Sequence, residues 1–221
     1  MIILIQGPAG SGKTYLMSRL IMQEWLRGVE VYPNFNLFFD EENTNIRRWY
    51  TLDETYGIEN GIIAIDESQA ILDAREWQKL PPSFKNKIAM HRHDHVDIYT
   101  TTQDMGHVDI RLRSNIHELY TCASIYRFPR NERVKPTFQM IRVSRKVRQF
   151  DNTTQRIKWV MAGRPKYYFI SKFWTKKYYD TYNKLSLTRM ICQVEQDPKN
   201  PKKLLGKLYS REIVSAGKAR M

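Results

Sequence analysis

The chain is 221 residues long, 42% hydrophobic and 12% aromatic, with 36 Lys+Arg against 23 Asp+Glu and a formal net charge of +13. At ~150 residues per domain this length suffices for one substantial core and falls short of two, and the apolar content excludes a disordered or linker protein. The charge is unevenly held: residues 1–110 carry 10 Lys+Arg and 16 Asp+Glu, net −6, whereas residues 111–221 carry 26 and 7, net +19. A polyanion, either nucleic acid or an acidic membrane surface, is the natural partner of such a C-terminal half.

Only Cys122 and Cys192 are present, far apart, so neither a disulfide framework nor a thiolate zinc site is indicated and a reducing compartment fits. The first residues lack the basic start of a signal peptide, and no window approaches the ~18 apolar residues of a membrane span. The expectation is a soluble protein with no transmembrane segment of its own.

In chain order, Ile2 to Gln6 is an apolar run closed by Gly7-Pro8, the pattern of a buried parallel strand. From about Lys13 the spacing of Leu16, Leu20, Ile21 and Trp25 predicts a helix ending at Arg27-Gly28. Val29 to Tyr32 reads as a second strand stopped by Pro33, and residues 40–60 as acidic loop with a helical turn. Ile62 to Ile65 is a third strand, followed by a helix through Gln69 to Trp77. Pro81-Pro82 opens another helix from Ser83 into His91-Arg92-His93. Asp97 to Thr102 and Leu119 to Arg127 complete the strands of a doubly wound α/β sheet. Beyond residue 128, Phe138 to Val143 and Lys166 to Ile170 read as edge strands in a basic, aromatic background.

Gly7, Pro8, Ala9, Gly10, Ser11, Gly12, Lys13 and Thr14 fit the G-x-x-x-x-G-K-[ST] pattern, with Tyr15 next in line. A glycine-rich turn at a helix N-terminus lets backbone N–H groups curl around phosphate oxygens. Lys13 would reach the β- and γ-phosphates of ATP, and the Thr14 hydroxyl would ligate Mg²⁺. The apolar strand ending in Asp66-Glu67 supplies the rest: Asp66 to hold the metal, Glu67 to polarise an attacking water. Gln103, at the end of the next strand, is placed to sense the γ-phosphate. Arg111 and Arg113 follow as candidates to act on a neighbouring subunit's nucleotide, or as plain surface ion pairs. The fold class expected is therefore α/β: a P-loop NTPase with a mainly parallel sheet flanked by helices and a small basic β-rich extension.

The motif order, above all His91-Arg92-His93, Asp97-Ile98, Thr102-Gln103-Asp104 and Asp109-Ile110-Arg111, resembles the zonular occludens toxin family. That family includes the filamentous-phage gene I assembly proteins and belongs to the FtsK–HerA group of P-loop DNA motors. Tyr178-Tyr179-Asp180-Thr181-Tyr182 is similar to the segment closing the family's cytoplasmic domain, so the resemblance covers about residues 1–183. It implies a virus morphogenesis ATPase working as a homo-oligomeric, hexameric ring on viral DNA, single- or double-stranded. It also implies docking to a viral capsid or membrane protein, in the host cytoplasm or on the virion. Lys13, Thr14, Asp66, Glu67 and Gln103 stand at the family's nucleotide positions. Filamentous-phage members carry a membrane span after this domain; here 185–221 is Lys-rich, which favours genome packaging into a capsid over membrane-docked extrusion.

The domains expected are 1–128 as the ATPase core, 129–184 as its basic aromatic extension and 185–221 as a basic tail. Arg130, Arg133, Lys135, Arg142, Arg145, Lys146 and Arg148 read as a hairpin with one cationic face. Residues 164–184 interleave lysines with aromatics, a composition suited to a single-strand groove or to a core with a solvated lysine face. His91, His93 and His95 alternate without a Cys or acidic partner at fixed spacing and are read as packing or interface residues. A P-loop nucleotide kinase and a non-enzymatic scaffold remain as alternatives.

Overall fold

The structure, a computed structural model, describes residues 1–35, 37, 39, 45–72, 78, 80–130, 137–151, 156–171, 195–197 and 200–205. Strand β1 (Ile2–Gln6) is buried on both faces: Ile3 and Ile5 enter one core, Ile2 and Leu4 the other. Helix α1 (Lys13–Trp25) starts at Gly12 in the left-handed region and covers the first core with Leu16, Met17 and Ile21. The chain then forms β2 (Glu30–Pro33), β3 (Gly61–Ile65), α2 (Pro82–Met90), β4 (Asp97–Thr102), the short helix α3 (Ile110–Ser114) and β5 (Glu118–Phe128). Phe84 and Ile88 of α2 and Leu112 of α3 close the second core. Each fully buried Ile, Leu or Phe contributes roughly 1.5–3 kcal/mol, so the two apolar layers dominate the energetics of the sheet.

Strand β6 (Phe138–Asp151), β7 (Arg156–Met161) and β8 (Lys166–Ser171) extend the same sheet, whose order is β2-β3-β4-β1-β5-β6 with β7 and β8 both on the outer edge of β6. The first five strands are parallel and the additions antiparallel. Strands β9 (Glu195–Asp197) and β10 (Asn200–Leu205) pair with each other. No helix among the described residues is long and apolar enough to cross a membrane.

Registers fix the top of the sheet. Gln6 pairs with Thr102 on one side and Thr121 on the other, and Ile65 pairs with Thr100, so β1 and β4 end at one level and β3 stops two residues below it, setting Asp66 at the height of Thr101. Strand β5 runs on past Thr121 to Phe128, about 23 Å of overhang at ~3.3 Å per residue, held by β6 alone.

Three local expectations differ from the structure. The helix expected over 69–77 is a 3-10 turn at Ser68–Ala70, and residues 73–77 lie outside the described residues. Residues 138–148 form one strand and not a hairpin with one cationic face: Arg142, Lys146 and Arg148 point to one side, and Arg145 points to the other, where it forms an ion pair with Glu118. The reason is continuous pairing of β6 with β5 from Phe138 to Val147, which also makes β6 an interior strand and not an edge. Arg133, Lys135 and the aromatic segment after Ser171 lie outside the described residues.

Candidate active site

The loop from Gly7 to Thr14 rises between the ends of β4 and β5. Gly7 N–H donates to Thr102 O at 3.3 Å, and a Cβ at Gly7 would stand 2.3 Å from Cys122 O. Only glycine permits that approach. The loop curls on itself, with Ser11 N–H donating to Pro8 O at 3.2 Å and Lys13 Nζ donating to the same carbonyl at 3.1 Å. Ser11 Oγ is buried in the cradle with no hydrogen-bond partner among the described residues, a donor of the kind phosphate oxygens satisfy. Tyr15 is buried in the first core and serves packing.

Asp66 follows β3 and is 4% exposed. Its carboxylate accepts from Thr14 Oγ1 at 3.2 and 3.3 Å and from Thr101 Oγ1 at 2.5 Å. Asn34 holds its backbone from the neighbouring strand end, accepting from Asp66 N–H at 2.9 Å and donating to Asp66 O at 3.2 Å. A carboxylate and a hydroxyl converging at the mouth of the loop form an oxygen donor set that suits Mg²⁺.

Glu67 adopts a left-handed conformation, φ 53°, which a non-glycine residue keeps only at a cost of order 1–3 kcal/mol. Its N–H donates to Thr101 Oγ1 at 2.8 Å, its carboxylate accepts from Gln69 Nε2, and Ser68 Oγ donates to Thr101 O at 2.8 Å. Thr101 thus ties both acids of the pair to β4. Glu67 is half-buried in this turn, next to Asp66 along the chain.

Gln103 is exposed one residue beyond β4, at the level of Gly7. The structure therefore gathers Lys13, Thr14, Asp66, Glu67 and Gln103 at one edge of the sheet. Arg111 and Arg113 ride on α3, whose Leu112 is buried in the core opposite α1; Arg111 is exposed, and Arg113 has its Nε buried with no hydrogen-bond partner among the described residues.

Sequence reasoning missed four residues here. Asn34 and Thr101 hold Asp66; a polar side chain ending each neighbouring strand was the available clue. Gln139, on β6 and 7% exposed, donates from Nε2 to Gly10 O at 2.6 Å, and Arg127 Nη1 lies 3.7 Å from where a Gly10 Cβ would stand. No local pattern announces either. Burial pushes the thiol of Cys122, under the loop, up to about 12, so it is inert. His91, His93 and His95 precede β4 at the opposite end of the sheet, His91 with Nδ1 2.7 Å from Ile88 O and its ring 5.7 Å from that of His117.

The model of a family described as Zonular occludens toxin (Zot) matches residues 1–155. The chain belongs to the zonular occludens toxin family. Among solved structures, the N-terminal domain of zonular occludens toxin from Neisseria meningitidis is 21% identical at a TM-score of 0.48, covering 81% of this chain and 97% of that one. The genome packaging NTPase of Sulfolobus turreted icosahedral virus 2 in complex with AMP is 14% identical at 0.44, covering 72% and 95%. The same NTPase with ATP-gammaS is 13% identical at 0.44. A search of curated proteins finds no match. The Zot match contains the phosphate loop, Asp66-Glu67, Gln103, both arginines of α3, β5 and β6, and stops before β7 and β8.

Proposed function

We propose that this protein is a virus morphogenesis ATPase that couples ATP hydrolysis to movement of DNA, in the sense of genome packaging. The observation that carries the reading is the Thr14–Asp66–Thr101 cluster, with Glu67 clamped in a strained turn beside a phosphate loop that has a buried donor with no partner among the described residues. Membership of the Zot family agrees with it.

In this reading the loop N–H groups and Lys13 bind the β- and γ-phosphates of ATP, and Thr14 and Asp66 hold Mg²⁺, which when bound neutralises charge on the phosphate oxygens. Glu67 orients the attacking water and accepts its proton, and Gln103 senses the γ-phosphate. Arg111 and Arg113 serve a neighbouring subunit's nucleotide in a homo-oligomeric ring. The partners are viral DNA and a capsid or membrane protein, in the host cytoplasm or on the virion. The ATPase core is 1–128, the basic extension 129–184 and the tail 185–221.

Phosphate release, followed with and without DNA at low salt, tests this reading. Hydrolysis stimulated by DNA and abolished by Lys13→Ala is expected. Glu67→Gln should keep nucleotide binding while losing roughly 10²–10⁴ in kcat. Equal rates with and without DNA would remove the translocase reading.

A further inference from the structure

On the α1 side of the sheet, away from the phosphate loop, a groove of about 380 Å³ is lined by Arg19, Arg145, Arg164, Lys166, Tyr120 and Tyr168 among its walls. Its cations come from three separate elements. Arg19 stands on α1, six residues after Lys13 and so ~9 Å farther along the helix. Arg145 stands on β6 directly opposite Tyr120 of β5. Arg164 comes from an interruption in the outer edge and Lys166 from the first position of β8 after it: β7 and β8 run in the same direction along β6, and residues 162–165, with Gly163 at φ 89°, lie opposite Ser144 and Arg145. Arg164 and Lys166 are two residues apart, a spacing that keeps both side chains on one face of the edge, and both line the groove.

The groove is held ready. Arg19 lies 4.8 Å over the Tyr168 ring, and Arg145 Nε donates to Glu118 Oε2 at 2.9 Å, with Tyr120 OH donating to the same oxygen at 3.1 Å. Glu118 is 8% exposed, and among the described residues no acidic side chain lines the groove. Glu118 neutralises Arg145, and Arg19, Arg164 and Lys166, set around an apolar floor of Leu20 and Val143, give the groove a positive potential that an anion relieves.

We propose that this groove binds the phosphate backbone of a nucleic-acid strand. It rests on the reading of the chain as a DNA motor and gives that motor a contact: the strand bears on the helix whose first turn carries Lys13 and Thr14. The net +19 of residues 111–221 makes a polyanion the complementary partner, and Arg19 is the acidic half's contribution to it.

Anisotropy of a fluorescein-labelled oligothymidylate, titrated without nucleotide over a series of salt concentrations, tests the site. Loss of one phosphate contact lowers the slope of log K against log salt by about 0.7 and weakens binding about fivefold at ~0.1 M salt. Arg164→Ala and Lys166→Ala should each do this, Arg164→Lys should restore the slope, and Arg47→Ala, exposed and paired with Glu30, should change neither quantity. In the wild-type chain, the oligonucleotide should also protect Lys166 from acetylation, a readout independent of any variant's folding. No binding by the wild type, an unchanged slope in Arg164→Ala/Lys166→Ala, or an unprotected Lys166 would each overturn the site. Oligonucleotide binding with this signature in a chain that fails to hydrolyse ATP would instead sink the motor and leave the groove standing.

Discussion

A single glutamine shows how far the phosphate loop depends on what lies outside its motif. A trans peptide points its C=O and the following N–H in opposite directions, so the bond from Gln139 Nε2 to Gly10 O turns the Ser11 N–H toward the inside of the loop. Gln139→Ala leaves that carbonyl without its partner, at a cost of about 1–2 kcal/mol to this loop conformation. The dissociation constant of a fluorescent ATP analogue should rise roughly 5- to 30-fold while the melting temperature barely moves. Unchanged affinity would show that the loop holds its shape without β6. Lys13, Thr14, Asp66 and Glu67 were legible because their chemistry fixes residue type and spacing along the chain. Asn34, Thr101 and Gln139 were not, because their bonds span 32, 35 and 129 residues and exist only once the strands are in register.

The elements tell a parallel story. Strands β1 and β3 could be read directly because they are buried on both faces, leaving short apolar runs cut by glycine or polar residues, and β4 from its β-branched and aromatic residues. Strand β6 read as a short edge strand, Phe138 to Val143, in a basic hairpin, and β7 as none, because their faces are half exposed and filled with Arg, Lys and aromatics whose alternation carries no apolar contrast. Yet β6 and β8 support the loop from below: a Cβ at Gly12 would meet Ile141 Cδ1 at 3.0 Å and Ile170 Cδ1 at 3.4 Å. Gly12→Ala therefore meets both a left-handed backbone and a crowded neighbour, whereas Gly28→Ala, also left-handed, has open space around its Cβ. Urea unfolding should give about 1–2 kcal/mol for Gly28→Ala, the conformational cost alone, and more for Gly12→Ala. Ile141→Val, worth about 0.5–1.5 kcal/mol by itself, should cost less in the Gly12→Ala background because it removes the clashing methyl. Strict additivity would mean that the loop and the antiparallel extension are independent.

At the scale of the whole molecule, the ends of the sheet have divided roles. One edge carries the phosphate loop and its acids; the other carries His91 and His117, packed edge to face, with Ile2 N–H donating to His117 Nδ1 at 3.0 Å. Burial, first of all, holds both imidazoles below the usual histidine value of 6.5, and the neighbouring Arg92 acts in the same direction. In the unfolded chain both return to the ordinary value, so just below pH 6.5 the unfolded state binds more protons than the folded one, and stability must fall as pH falls. Above pH 6.5 both states hold the rings neutral and these two residues contribute no slope. Acidification also adds charge to a chain already at +13, which works in the same direction, so the wild-type profile alone does not isolate the histidines. The paired comparison does: His91→Gln and His117→Gln should each flatten the dependence of unfolding free energy on pH below 6.5 and leave it unchanged above. If both variants kept the wild-type slope through that window, the acid sensitivity would belong to the general cationic surplus and not to this end of the sheet.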